Sequence, residues 1–239
     1  SGLETLVPAL AAAGVDMLST GGTLKWILDR GFKARDVAEY TGYPEMMDGR
    51  VKTLHPKIHG GILALRDVPE HRAAMEQHEI VSIDLVVVNL YPFAATVAKP
   101  DVTDALAIEN IDIGGPSLIR GAAKNHVYVA VVTDPQQYSQ VVEQLQGQGG
   151  TNLALRRKLA GEAYAHTGAY DTAIAGYFAK TANGGSELPA SINLALDREE
   201  TLRYGENPHQ AAALYRVQPA FANSVVAAKK RHGKELSYN

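Results

Sequence analysis

Apolar residues recur at helical spacing at the start of the chain and then give way to a short strand-like run. The spacing predicts a helix over Leu3–Ala13 that ends at Gly14. A short strand over Val15–Ser19 and a second helix over Leu24–Arg30 are predicted next. The turn between them is Thr20–Thr23, with the sequence Thr-Gly-Gly-Thr. Strand, glycine turn and helix in this order are typical of a βα unit.

Two continuous aliphatic runs follow further along the chain. Ile83–Leu90 and Val127–Thr133 are of strand length, as expected for strands buried on both faces of a parallel sheet. Helical spacing predicts a helix over Glu70–His78, another from Asp134 to Gln146, and one or two long helices over Asn152–Lys180. Helices that alternate with buried strands indicate an α/β fold with a parallel sheet.

A change in composition divides the chain into two parts. The segment Asn183–Pro189 is rich in glycine and polar residues, as linkers are. Residues 1–182 are therefore predicted to form the first domain. Residues 183–239 contain too few periodic elements to close a core within about fifty residues, so we expect an incomplete part of a second domain.

Composition and charge narrow the function classes. The chain has 239 residues, is 46% hydrophobic and 21% charged, and carries a net charge of -3. No basic run is interleaved with aromatic residues, so no nucleic acid is expected, and the basic stretch Lys229–Lys234 is interpreted as a solvated loop. The chain contains no cysteine, which excludes disulfides and cysteine nucleophiles and is compatible with a reducing cytoplasm. The apolar runs are far too short to span a membrane.

No metal site is expected from the sequence. His55 and His59 are four residues apart, but Pro56 disfavours a helix that spans both, and no carboxylate is suitably placed. Packing or hydrogen bonding is the expected role of these two histidines.

The glycine turn is a candidate phosphate site. Free backbone N–H groups and two hydroxyls in Thr20–Thr23 would stand at the positive end of the following helix. A Gly-Gly turn also occurs for conformational reasons alone, so the spacing by itself is weak. Arg50, in a later loop, could pair with a phosphate, although a surface salt bridge is the commoner situation.

Four further groups are candidates for proton transfer, and each has a structural alternative. Lys52 precedes Pro56 in a loop, where a lysine is ordinarily exposed. Tyr91 follows a predicted strand end, where parallel sheets bind ligands, but its ring could instead pack while its hydroxyl donates to a carbonyl. Asp112 could simply cap the helix predicted after it. Lys124 follows twelve residues later on the same predicted helix and could be exposed.

Six segments together resemble one known family, the bifunctional AICAR transformylase/IMP cyclohydrolases. The motifs occur in the order and spacing of that family, and the resemblance covers nearly the whole chain. It implies a methylglyoxal-synthase-like three-layer α/β domain with a parallel sheet, followed by the opening part of a transformylase domain. The segments are Thr20–Thr23, Gly49–Pro56, Asn89–Phe93, Ile111–Gly115, Ala122–His126 and Leu202–Gln210.

The resemblance implies a reaction and a set of roles. The reaction is closure of 5-formamidoimidazole-4-carboxamide ribotide (FAICAR) to inosine monophosphate (IMP) with loss of water, without metal or organic cofactor. Lys124 would be the main proton donor and acceptor, coupled to Asp112, while Tyr91 assists and Lys52 polarises the formyl oxygen. Thr20, Gly21, Gly22 and Thr23 would hold the phosphate, and Arg50, Val51, Thr53, Val88, Asn89, Ile113 and Gly114 would line the base and ribose.

The family also implies a homodimer and a second activity in a longer protein. Arg203, Tyr204, Asn207 and His209 match a part that contacts the aminoimidazole nucleotide in the transformylase, whose co-substrate is 10-formyltetrahydrofolate. The family has a short strand and a Ser-x-x-Asp-Lys-type segment before the point where this sequence begins, and a Lys-His motif after its last residue. Transformylase activity is therefore not expected from these residues.

Two other functions fit the same fold. It resembles the regulatory domain of carbamoyl-phosphate synthetase, which binds a nucleotide without chemistry, and a methylglyoxal-synthase-like lyase is a third option. A pure phosphate-binding module would not require the segments Arg50–Thr53, Asn89–Tyr91 and Ala123–Asn125 together. The cyclohydrolase is therefore the favoured prediction.

Overall fold

The structure, a computed structural model, describes residues 2–182, 191–217 and 223–238. The chain forms two compact units that divide between Thr167 and Gly168, inside the longest helix. The predicted α/β class is confirmed. The α-helices are α1 Leu3–Ala12, α2 Gly21–Asp29, α3 Val37–Thr41, α4 Pro56–Leu63, α5 Pro69–Gln77, α6 Phe93–Val97, α7 Asp104–Glu109, α8 Gly114–Lys124, α9 Tyr138–Gln148 and α10 Leu153–Ala182.

The first unit contains two parallel strand pairs. β1 (Leu18–Ser19) pairs with β2 (Arg35–Asp36), and β3 (Leu85–Val87) pairs with β4 (Ala130–Val132). Parallel pairing was predicted, but the regular strands are much shorter than the apolar runs that contain them. The run around β3 is interrupted because Asp84 is exposed and forms an ion pair with Arg66, and because Asn89 is exposed. Only β4 is buried along its whole length.

The second helix begins earlier than predicted. We expected Thr20–Thr23 to be a turn before a helix that starts at Leu24, whereas α2 already begins at Gly21. Thr20 is its extended N-cap residue, and Gly21 takes a positive φ of 52° that favours glycine. The two glycines and Thr23 therefore form the first helical turn, and their backbone N–H groups lie at its positive end.

Four short helices were not predicted from periodicity, namely α3, α4, α6 and α7. Side-chain caps support three of their starts: Asp36 accepts a hydrogen bond from the Ala38 N–H at 2.7 Å, Thr103 accepts one from the Leu106 N–H at 3.2 Å, and His55 caps α4. Helix α4 begins at Pro56, a favourable first helical residue. Each of the four helices has eight residues or fewer, too few for a clear period of 3.6.

The hydrophobic core of the first unit surrounds α8. Leu6 of α1, Ile62 of α4, Ile119 of α8, Val131 of β4 and Leu159 of α10 are all almost completely buried. Helix α8 packs against α4 and against both strands of the β3–β4 pair. The ends of α8 are thereby fixed relative to the loops around them.

The second unit has little core among the residues that the structure describes. β5 (Leu196–Thr201) and β6 (Ala213–Val217) form an antiparallel pair, and Gly205 alone is buried in the described part of this unit. Lys229–Lys234 is an exposed loop, as predicted. The predicted linker Asn183–Pro189 lies outside the described residues, and the domain boundary after residue 182 stays a prediction.

Candidate active site

Two of the predicted polar segments meet at the N-terminal end of α8. The Oγ1 atom of Thr53 lies 2.7 Å from the position that a Cβ on Gly114 would occupy. The Cδ2 atom of Leu90 lies 2.7 Å from the corresponding position at Gly115. The loop Arg50–Thr53 and the segment Asn89–Tyr91 therefore reach the same helix end, as their placement in one site requires.

The glycine turn and Lys52 are also neighbours. The Nζ atom of Lys52 lies 3.7 Å from the position of a Cβ added to Gly21. The side chain of Thr20 makes no capping hydrogen bond to α2, and Gly21, Gly22 and Thr23 are exposed. Helix-start N–H groups, hydroxyls and an ammonium group together are suited to bind an anion.

A cavity of about 330 Å³ opens beside the start of α2 and the Lys52 side chain. Thr20, Val51 and Lys52, which were predicted as site residues, line part of its wall. His55, expected to pack or to form hydrogen bonds, also lines the cavity, and further lining residues were missed from the sequence: Asp36, Tyr43, Glu45, Met46 and Met47. Most of them precede Arg50 directly, but neither their spacing nor their chemistry marked them as a site.

Arg50 forms a surface ion pair. Its guanidinium pairs with the Glu109 carboxylate of α7, and both side chains are more than half exposed. The structure thus shows the commoner of the two roles considered for Arg50, a surface salt bridge. The preceding residues Met47 and Asp48 hold positive φ values of 52° and 53°, an uncommon backbone for non-glycine residues.

Asn89 and Tyr91 lie just beyond β3. The Nδ2 atom of Asn89 donates to the Tyr138 hydroxyl at 3.1 Å. Tyr91 is 54% exposed, so its ring is not packed in the core as the alternative required. Val88 is half-buried and extends the ladder, because its N–H donates to the Val132 carbonyl at 3.0 Å.

Asp112 occupies the N-terminal end of α8. Its Oδ1 atom accepts a hydrogen bond from the Gly115 N–H at 2.8 Å, so the carboxylate stabilises the start of the helix. The capping role that the sequence allowed is present. The neighbouring Ile113 is 62% exposed, which leaves this corner of the site open to a ligand.

Lys124 lies at the other end of the same helix. It is the last residue of α8 and is exposed, and it forms no ion pair with the residues that the structure describes. With 1.5 Å of rise per residue, the helix separates its two ends by about 16 Å. This distance is greater than a lysine side chain can reach, so the predicted coupling of Lys124 to Asp112 does not occur within one chain.

The two histidines have structural positions. The Nδ1 atom of His55 accepts from the Lys57 N–H at 3.1 Å and caps α4, as the expected hydrogen-bonding role allows. His59 is half-buried, its Nε2 atom has no partner among the described residues, and burial lowers its pKa. Within the described ranges, no group of three or more His, Cys, Asp or Glu side chains could hold a metal ion.

The candidate residues of the second unit lie on one loop. The Arg203 Nε–H donates to the Glu235 carbonyl at 2.7 Å, and its guanidinium lies over the Tyr204 ring. The Asn207 N–H donates to the Gln210 side chain at 2.9 Å, and His209 is exposed.

None of the helices in the described residues is both long and apolar enough to cross a membrane.

Comparison with known proteins gives matches along nearly the whole chain. Residues 2–117 match the family model of the MGS-like domain, and residues 122–239 match that of the AICARFT/IMPCHase bienzyme. The chain is 56% identical over 238 residues to the bifunctional purine biosynthesis protein PurH of Rhodopirellula baltica. That alignment covers 100% of this chain but only 45% of the relative. The crystal structure of ForH aligns with a TM-score of 0.65 and 35% identity, over 73% of this chain and 91% of ForH.

Proposed function

The chain belongs to the family of AICARFT/IMPCHase bienzymes with an MGS-like domain, and on that premise we propose that it is an IMP cyclohydrolase, which closes FAICAR to IMP with loss of water. The observation that carries the proposal is the meeting of the loops around Lys52, Leu90 and Asp112 at the N-terminal end of α8. A small nucleotide, and neither nucleic acid nor membrane, is the proposed partner, and the cytoplasm is the proposed location.

The phosphate of the nucleotide would bind at the first turn of α2. The N–H groups of Gly21, Gly22 and Thr23 and the Thr20 hydroxyl supply donors, and the Lys52 ammonium nearby supplies positive charge. Arg50 could exchange its exposed partner Glu109 for the phosphate, because surface ion pairs contribute little stability.

The base and ribose would lie between this turn and the start of α8. The proposed contacts are made partly by backbone groups, because Gly114 has no side chain and Ile113 is exposed at the helix start. Thr53 reaches Gly114, and Asn89 stands at the end of β3. The residues proposed for these contacts are Arg50, Val51, Thr53, Val88, Asn89, Ile113 and Gly114.

Ring closure requires the carboxamide nitrogen to act as a nucleophile, but an amide nitrogen is a poor one. The carboxamide nitrogen attacks the formyl carbon and loses a proton, while the formyl oxygen takes up a proton and becomes a hydroxyl. The hydroxyl then takes up a second proton and leaves as water, as the former formamide nitrogen loses its proton and the ring C=N bond forms. Orientation of the two groups and stabilisation of the developing oxyanion supply most of the acceleration. Lys52 would polarise the formyl oxygen, the Asp112 carboxylate would take part in proton transfer, and the exposed Tyr91 hydroxyl would assist.

Lys124 would enter this site from a second copy of the chain. Within one chain α8 holds Lys124 about 16 Å from the end that carries Asp112. A homodimer that places the C-terminal end of α8 from one copy against the N-terminal end from the other would complete the set. In a twofold-symmetric dimer this contact occurs twice, so both sites would be complete.

One observation favours a second candidate, a regulatory nucleotide-binding module. In a single chain the groups proposed to bind the phosphate lie together, whereas Asp112 caps α8 and Lys124 is remote. A monomer would therefore bind a nucleotide without catalysing ring closure. The dimer requirement separates this alternative from the cyclohydrolase.

We propose the transformylase activity only for a full-length bienzyme of this family. This chain spans 45% of the length of the PurH relative, so the use of 10-formyltetrahydrofolate is proposed for a full-length protein and not for these residues. Arg203, Tyr204, Asn207 and His209 would contribute to that second nucleotide site. The cyclohydrolase itself is proposed to need no cofactor.

The test is ultraviolet-monitored conversion of FAICAR to IMP without folate or metal. The wild-type chain is compared with Lys124→Ala and with Lys158→Ala, which removes an exposed lysine of α10 as a matched control. The proposal predicts turnover in the wild type and the control and its loss in Lys124→Ala. IMP binding without turnover in the wild type would instead support the regulatory module.

A further inference from the structure

Two adjacent glycines at the start of α8 lie in contact with different parts of the site. We propose that Gly114 and Gly115 are positioning residues, Gly114 for the Thr53 hydroxyl and Gly115 for the Asp112 carboxylate and Leu90. The inference rests on the proposed function for its catalytic consequences, but its geometric content is independent of it. Each glycine is needed because groups of the site occupy the space that a side chain there would take.

Gly114 leaves room for Thr53. A Cβ at Gly114 would lie 2.7 Å from the Thr53 Oγ1 atom, closer than non-bonded carbon and oxygen approach each other. The threonine side chain is β-branched and has few alternatives at χ1, so its hydroxyl would have to leave its present position. A side chain at Gly114 therefore displaces a proposed nucleotide-binding group.

Gly115 leaves room for two groups at once. A Cβ there would lie 2.6 Å from the Asp112 Oδ2 atom and 2.7 Å from the Leu90 Cδ2 atom. Asp112 cannot turn away freely, because its Oδ1 atom accepts the hydrogen bond from the Gly115 N–H at 2.8 Å. Leu90 stands between Asn89 and Tyr91, and its side chain would have to change its rotamer to make room.

The same helix contains a matched control position. At Gly121, a Cβ would meet its nearest atom, Ile62 Cγ2, at 3.5 Å, an ordinary van der Waals contact. Alanine favours a helix more than glycine does at all three positions. A purely structural role of Gly114 and Gly115 would lower the melting temperature of their variants alone, whereas positioning also changes the Kd for IMP in the first and the kcat in the second.

The experiment compares Gly114→Ala, Gly115→Ala and Gly121→Ala in the same chain. The measurements are the Kd for IMP, the kcat for FAICAR closure and the melting temperature. Gly121→Ala should change neither Kd nor kcat beyond about twofold, because its new methyl group fits. Gly114→Ala should weaken IMP binding about tenfold, and Gly115→Ala should lower kcat about tenfold with less effect on Kd, because displacements of about 1 Å have effects of this size or more.

Relief variants test the stated contacts. Leu90→Ala in the Gly115→Ala background removes one of the two clashes and should recover part of the lost kcat. Thr53→Ala removes the hydroxyl with which a methyl group at Gly114 clashes. Gly114→Ala should therefore weaken IMP binding much less in a Thr53→Ala background than in the wild type. Wild-type Kd and kcat in both single glycine variants, or changes equal to those of Gly121→Ala, would overturn the proposal.

Crystal structures of the single variants separate this inference from the proposed function. If the wild-type chain fails to close FAICAR, the cyclohydrolase proposal fails, but the positions of Thr53 and Asp112 in the variants still decide the present one. Displacement of the Thr53 hydroxyl in Gly114→Ala and of the Asp112 carboxylate in Gly115→Ala supports positioning. Unmoved side chains in both variants contradict it.

Discussion

Each end of helix α8 carries a candidate residue for proton transfer, but the surroundings of the two residues differ greatly. At the N-terminal end, Asp112 is hydrogen-bonded to the helix start, and Thr53 and Leu90 fill the space beside two glycines. At the C-terminal end, Lys124 is exposed, and the neighbouring Asn125 is buried and bonded to α4. The first end therefore assembles a site from several loops, whereas the second presents a single lysine to solvent.

Because of this difference, the proposed dimer would use α8 in two sites at once. A rigid rod of eleven residues cannot bring its own two ends together. If both ends act in one reaction, each end must act with the opposite end of another copy. Substitutions at Lys124, Asp112 and Asn125 test the two ends separately, and one at His59 tests the helix against which α8 packs.

The largest effect is expected at Lys124. Lys124→Ala should lower kcat by about 10²- to 10⁴-fold, the range for the loss of a positioned acid or base, while the Kd for IMP changes little. Lys124→Arg sharpens this test, because arginine keeps the positive charge but cannot give up its proton in a protein. Comparable loss of kcat in both variants supports proton transfer; near-normal turnover in Lys124→Arg would assign Lys124 a purely electrostatic role.

The next effect separates catalysis from capping at Asp112. Asp112→Asn keeps an oxygen that can accept from the Gly115 N–H, so the melting temperature should hold while kcat falls. Asp112→Ala should lose kcat and, in addition, about 1 kcal/mol of unfolding free energy, as for other lost helix caps. Measured by urea denaturation and initial rates, equal turnover of Asp112→Asn and the wild type would leave Asp112 only its structural role.

Asn125 should matter for stability alone. Its Nδ2 group donates to the Ile62 carbonyl at 2.7 Å and to the Ala64 carbonyl at 3.1 Å, and the side chain is buried. Asn125→Ala would leave these carbonyls without that donor, at a cost of about 2 kcal/mol in unfolding free energy. Denaturant melts should detect this loss while the kcat for FAICAR closure stays unchanged, in contrast to Asp112→Ala.

The smallest effect concerns the pH dependence of stability through His59 on α4. Burial lowers its pKa below the ordinary value of 6.5, so the folded state resists protonation. As the pH falls through 6.5, the unfolded state binds more protons at this histidine than the folded state does, so the free energy of unfolding decreases. Well above pH 6.5 the contribution of His59 to the free energy of unfolding is constant. His59→Gln should flatten this part of the stability profile, and an unchanged profile would show that other groups set it.

Local patterns predicted the elements that are long or have strong end signals. Helices α1, α5 and α10 follow their periodicity closely, and α8 begins at Gly114, shortly after Asp112, as predicted. The short helices α6 and α7 were not predicted, because five or six residues do not establish a helical period. The start of α2 was misplaced because two glycines suggested a turn, whereas Gly21 tolerates the positive φ that opens the helix.

The candidate site was predictable in its parts and less so in its assembly. Motif order identified Lys52, Thr53 and Asp112, and the structure brings their loops together through contacts that no spacing reveals. The pairing of Arg50 with Glu109 depends on the position of α7, which the sequence did not predict. The separation of Asp112 and Lys124 was implicit in their twelve-residue spacing once both were assigned to one helix.

The most direct test of the shared-site account is to mix two inactive variants. Asp112→Asn and Lys124→Ala, each inactive alone, are combined in equal amounts under conditions that allow subunit exchange, and FAICAR closure is followed. If each site uses Asp112 of one chain and Lys124 of the other, half of the dimers regain one intact site, and activity returns to about a quarter of wild type. No recovery in a mixture shown to contain heterodimers would contradict the account.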